Sequence, residues 1–142
     1  MRVRMAFVLL LCLFACPGCG RKSTDQLIAD LKSSQVKERL IAVRLLPQRK
    51  GEGAKVVPAL IEALKDGEDD IRASAAIGLG YFGAEAKDAI PALQEARKDS
   101  DARVREAAGV AIARIDPDLA QKAPPPSAKK AAKTGPSKAA KK

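Results

Sequence analysis

Asp66 to Leu93 reads D-G-E-D-D-I-R-A-S-A-A-I-G-L-G-Y-F-G-A-E-A-K-D-A-I-P-A-L, and much the same message returns 33 residues later. Ile71-Arg72 comes back as Val104-Arg105, Ala75 as Ala108, Leu79 as Ile112, Asp66 as Asp99 and Pro58 as Pro91. A fainter copy lies upstream, with Leu27, Leu31, Arg39, Ala42 and Leu46 beneath Leu60, Leu64, Arg72, Ala75 and Leu79. A fixed period of about 20 to 50 residues is the signature of stacked structural repeats, and it outranks other evidence for the fold.

Residues 23–118 divide into three helix–turn–helix units, at about 24–56, 57–89 and 90–118. Ser23 and Gln26 make an S-x-x-Q capping box ahead of Leu27, Ile28 and Leu31, which fall on one helical face. Ser33-Ser34 breaks that helix, a second runs from about Gln35 to Leu46, and Gln48 to Lys55 reads as a loop. In the second unit Val57-Pro58 is expected to open a helix, since proline is tolerated in a first turn. Leu60, Ile61 and Leu64 stripe this helix; Ile71, Ala75, Ala76 and Leu79 face inward on the next, with Gly80 and Gly83 at its exit. The third unit repeats the plan with Ile90, Leu93 and Ala96, then Val104, Ala108 and Ile112. There Ile61 has become Gln94 and Leu64 has become Arg97, as an end unit facing water requires. One helix pair buries too little apolar surface to offset its conformational entropy, whereas three share a continuous core. The expected fold is all-α, an α-solenoid of three units.

The pattern D-x-x-x-x-[I/V]-R-x-x-A-A/G-x-x-[G/A]-[L/I] resembles the HEAT repeat, particularly the short HEAT-like form of phycobilisome lyases. That resemblance implies a ladder in which a turn Asp receives an Arg from a neighbouring repeat. Asp66 and Asp99 match the acid; Arg39, Arg72 and Arg105 match the base. The first unit departs from the pattern, with Ser33 for the Asp and Glu38 for the Ile/Val. Three evenly spaced guanidinium groups could also bind an anion, but charge-assisted bonding between repeats is the better reading.

Aromatic residues are 3% of the chain and Trp is absent, so the core must be Ala, Leu, Ile and Val. The net charge of +9 does not describe the repeats, where residues 23–116 carry 15 Lys and Arg against 16 Asp and Glu. The excess lies at the two ends, so specific nucleic-acid binding by the repeats is not indicated. There is no His, and all three cysteines fall between Cys12 and Cys19. Disulfides, Cys/His metal sites and Cys–His or Ser–His nucleophile pairs are therefore excluded from the repeats.

Arg2 and Arg4 precede an apolar run of 11 residues, Met5 to Ala15, too short to span a bilayer, which takes roughly 20. This describes a secretory signal over 1–15. Leu13-Phe14-Ala15-Cys16 resembles the bacterial lipoprotein cleavage box, with Gly18-Cys19-Gly20 a rival. The resemblance implies lipidation of Cys16 or Cys19, a linker over 16–22, and tethering to a cell-envelope membrane; without the anchor the product would be soluble and secreted. Cys16-Pro17-Gly18-Cys19 lacks the framework of a redox or zinc motif. From Pro117 five prolines and seven lysines replace large apolar residues, so 119–142 is expected to be a disordered tail. Its Lys/Ala remainder resembles the tails of linker histones and would attract an envelope polyanion, or serve only solubility.

No residues suggest catalysis, a cofactor or a metal. The Asp66-to-Asp70 acids lack calcium-loop spacing and suit a helix N-terminus. Glu85 and Asp88 lie in a connector with nothing apolar in sequence to raise a pKa. Gly78-x-Gly80-x-x-Gly83 follows a helix, not the strand a dinucleotide motif requires. The remaining candidate is the outer stripe of the second helices: Ile77, Tyr81 and Val110, rimmed by Arg44 and Arg114. In solenoids of the family it resembles, these helices line the concave surface, which implies contact with a protein partner. The alternative, and the favoured one, is that these side chains merely pack on the adjacent unit.

Overall fold

The computed structural model describes residues 22–122. The expected signal, both candidate lipidation sites Cys16 and Cys19, and the expected tail beyond Lys122 lie outside them. Among the described residues there is no strand, and no helix is long and apolar enough to cross a membrane.

Seven α-helices follow in order: α1 (Thr24–Asp30), α2 (Val36–Leu45), α3 (Gly53–Ala63), α4 (Asp69–Phe82), α5 (Ile90–Ala96), α6 (Ala102–Ile115) and α7 (Pro117–Lys122). The Ser23 hydroxyl accepts from the Gln26 N–H at 3.2 Å while the Gln26 side chain accepts from the Ser23 N–H at 3.0 Å, closing the capping box. Thr24, the one buried polar residue among those described, donates to Glu52 at 2.7 Å and so ties the start of α1 to the entry of α3.

Two boundaries differ from the sequence reading. The expected loop over 48–55 is a pair of 3-10 turns, Leu46–Gln48 and Lys50–Glu52, followed by the first turn of α3. Helix α3 thus starts at Gly53, and Pro58 sits inside it, not in its first turn. Pro58 and Ala54 both face solvent, so the hydrogen bond that proline forfeits leaves only an exposed carbonyl, while Val56 and Val57 bury on the other side. At the far end the chain stays helical through Lys122, into the stretch assigned to the tail. The Asp116 carboxylate caps this turn, accepting from the N–H groups of Asp118 and Leu119 at 3.1 and 3.2 Å, and Leu119 packs on the core.

The second helices of the units, α2, α4 and α6, lie side by side in one layer. The first helices, α1, α3 and α5, form the other together with a 3-10 segment, Gly83–Ala89. Leu27, Leu46, Leu60, Ile71, Leu79, Leu93, Val43, Val56 and Val104 are fully buried between the layers and run unbroken through all three units. Gly83, at φ +54°, reverses the chain after α4. Gly80 sets the spacing of α4 and α6: a Cβ there would lie 3.1 Å from the Ala111 Cα, which is backbone.

Candidate functional site

In the second and third units the turn joining the two helices is held from both sides, by its own Arg and by the Arg of the unit before. Arg39 donates from Nε and Nη2 to the two oxygens of Asp66, at 2.8 and 3.1 Å, and from Nη1 to the carbonyls of Ser33 and Ser34 in its own turn. One unit on, Arg72 grips Asp99 at 2.8 and 2.9 Å and the carbonyls of Asp66 and Gly67 at 2.9 and 3.1 Å. Arg105 donates to the carbonyls of Asp99 and Ser100 at 2.7 and 2.8 Å. The three guanidinium groups thus occupy matching places along a row. Each Asp also closes its turn by accepting the N–H two residues on, from Glu68 at 2.9 Å and from Asp101 at 2.8 Å. In the first unit the Ser33 hydroxyl takes over that duty, accepting from the Gln35 N–H at 3.1 Å, and it donates to Glu38. The substitution of Ser for Asp keeps the turn and gives up only the seat for an incoming Arg.

These pairs are largely shielded, with side-chain exposures of 14% for Arg72 and 13% for Asp99. Hydrogen bonding from Arg72 outweighs burial and, with the Asp101 N–H, holds the Asp99 carboxyl at about 2. At Asp66 burial works in the opposite direction, but the Arg39 hydrogen bonds, the Glu68 N–H and the Arg39 and Arg72 charges together lower its pKa. A carboxyl depressed in the folded state binds fewer protons there than in the unfolded chain. Its contribution is fully present above about pH 4, the unfolded value, and is lost as pH falls through about 2. Acid titration followed by circular dichroism should show stability dropping across that window, and Asp99→Asn should flatten the drop.

Behind this row the opposite edge of the second-helix layer is open. Ile77 is 48% exposed, Tyr81 55% and Val110 48%; Arg44 and Arg114 are exposed as well. The adjacent units do not cover these side chains. The Arg114 guanidinium lies over the Tyr81 ring at 5.6 Å from its centroid, which fixes both side chains at the rim. Between α2 and α4 runs a groove of about 570 Å³, floored by Val43, Pro47, Ile77 and Gly78 and edged by Arg44 and Lys50. No acidic side chain lines it. Gly78 lets the Pro47 ring pack closely on α4, since a Cβ there would strike that ring at 2.8 Å.

Three features went unread in the sequence. Lys50 and Pro47 reach the groove only because the segment after α2 coils into 3-10 turns instead of looping away. Arg103 bridges units by donating to Asp70 at 2.7 Å and Asp69 at 2.9 Å, a pairing that the 33-residue offset between Asp70 and Arg103 could have suggested. The near-contact of Gly80 with Ala111 left no signal beyond two small residues. Glu85 and Asp88 are exposed, and Gly78 and Gly80 lie within α4.

Residues 24–113 and 57–133 match HEAT repeats. The chain belongs to the HEAT repeat family. No curated protein matches it. Among solved structures, the HEAT array is similar to the complex of CpcE and CpcF of phycocyanin lyase from Nostoc sp. PCC7120, at 28% identity and a TM-score of 0.64. That match covers 78% of this chain but only 43% of the neighbour, so the array spans less than half of the chain it resembles.

Proposed function

We propose that this HEAT array is a non-enzymatic scaffold that binds a protein partner along the open edge of α2, α4 and α6, and is held at the bacterial cell envelope by a lipid on Cys16 or Cys19. The observation that carries the reading is the uncovered Ile77–Tyr81–Val110 stripe with its cationic rim of Arg44 and Arg114. Exposed aliphatic and aromatic side chains beside arginine have the composition of contact sites that dominate binding energy. The similarity to a complex of two chains supports a protein partner, and because that complex is a phycocyanin lyase it also favours a second reading as an accessory subunit of an enzyme. The basic tail offers a third role, attachment to an envelope polyanion.

Photo-crosslinking in the native cell separates these. A benzoylphenylalanine at Ile77 or Tyr81 is expected to capture a defined partner, while one at exposed Glu62 on α3 captures none. Equal capture from both faces would sink the open-edge reading. Capture that disappears on deleting Lys129 to Lys142 would assign binding to the tail. Release of the protein from membranes by Cys16→Ser or Cys19→Ser identifies the anchor; retention in both variants refutes it.

A further inference from the structure

The two ends of the array are finished differently. At the far end α7 covers α6, and Leu119 packs on the core. At the near end Val36 is 42% exposed, Ile41 44% and Leu45 37%, all on α2. The repeat says what that flank is for. Leu45 corresponds to Gly78 and Ala111, which are buried. Gly78 faces Pro47 of the unit before it, and Ala111 lies against Gly80 of the unit before it. Ile41 corresponds to Ser74 and Ala107, both half-buried. In the first unit the side that elsewhere receives a preceding helix therefore carries larger apolar side chains and stays open.

Charge is skewed toward the same end. Residues 22–52 hold seven Lys and Arg against four Asp and Glu, whereas 53–116 hold nine against twelve. Lys37, one helical turn before Ile41 on α2, is exposed beside the apolar flank. Lys22 lies three positions after Cys19 and six after Cys16. At about 3.3–3.6 Å per residue, a lipid on either sulfur keeps this end within about 10–22 Å of the bilayer surface.

We propose that the open end of the array, through Val36, Ile41 and Leu45 with Lys37 beside them, rests on an anionic lipid surface. The inference depends on the lipidated anchor proposed above. Aliphatic side chains entering the headgroup boundary while a lysine meets anionic lipid is the chemistry of interfacial binding. It leaves the Ile77–Tyr81 edge clear for a partner and fixes which end of the array points away from the membrane.

The chain has no Trp, so a single one reports its own position. The mature full-length protein carrying Ile41→Trp, Leu45→Trp or Ile77→Trp would be reconstituted into vesicles of phosphatidylethanolamine and phosphatidylglycerol with brominated acyl chains. Circular dichroism confirms folding, and intact mass confirms the lipid. Quenching is expected to be about threefold or more stronger at 41 and 45 than at 77, with a blue-shifted emission that weakens when phosphatidylglycerol is left out. Equal quenching at the three positions in a protein whose mass includes the lipid overturns the docking face and leaves the anchor standing. A mass without lipid overturns both. Blue-shifted emission at 41 in detergent, together with a dimer by light scattering, would show that a second copy covers the flank, and would also overturn the proposal. The lysine-rich tail cannot imitate the expected result, because the readout compares positions within one bound molecule.

Discussion

Leu79→Ala is expected to destabilise the array by about 2–5 kcal/mol, the usual range for a buried leucine truncated to alanine. Leu79 is fully buried in the central unit, among Ile71, Ala75 and Ala76 of its own helix, and α4 touches α2, α3 and α6. A cavity there loosens three interfaces at once. An array of three units starts from a total stability of about 5–15 kcal/mol at most. Circular dichroism at 37 °C should therefore show substantial melting in the variant. Because the core is one continuous row, the loss should be cooperative across all units, not a local fraying. A melting curve that matched the parent would mean that the units do not share their stability.

Arg72→Ala is expected to be the most damaging surface substitution, at about 3–5 kcal/mol, the range for breaking a shielded ion pair by removing one partner. It removes four hydrogen bonds: two to the Asp99 carboxylate and two to the carbonyls of Asp66 and Gly67. It also strands Asp99, whose carboxylate is 13% exposed, without its cation. Arg105→Ala is the internal comparison. Its guanidinium holds only the carbonyls of Asp99 and Ser100 among the described residues, so the cost should fall to about 1–3 kcal/mol. Arg72→Lys should rescue little, since an ammonium cannot reproduce the planar two-point grip. Urea denaturation of the variants measures the differences. Equal losses for Arg72→Ala and Arg105→Ala would show that the inter-unit half of the bonding contributes nothing.

Much of this fold is legible in the sequence because a repeat states its contacts more than once. Ile71 and Val104, or Ala75 and Ala108, identify the buried face of one helix by agreement with another, and each of them is buried. The row of arginines is legible for the same reason, since each unit offers an Arg and the next unit an Asp. What is hidden is whatever depends on a single unit. Helix α3 starts at Gly53, although glycine is a poor helix former and a proline follows five residues later, because tertiary burial of Val56 and Val57 overrides local preference. The groove beside Ile77 depends on the 3-10 turn Leu46–Gln48, whose equivalents, residues 79–81 and 112–114, stay within α4 and α6. The exposure of Ile77, Tyr81 and Val110 was not decidable from spacing, because an outward stripe and a stripe against the next unit share one periodicity.

The joint between units is directional: a guanidinium always closes on a carboxylate 27 positions ahead. The second and third units, each with an Asp and an Arg, therefore carry one complete half of the clasp at either boundary. An in-frame duplication of such a segment would splice in with every clasp still matched, and an excision would leave its former neighbours able to join. The length of the array is thus free to drift over evolutionary time, whereas the order of its parts is not.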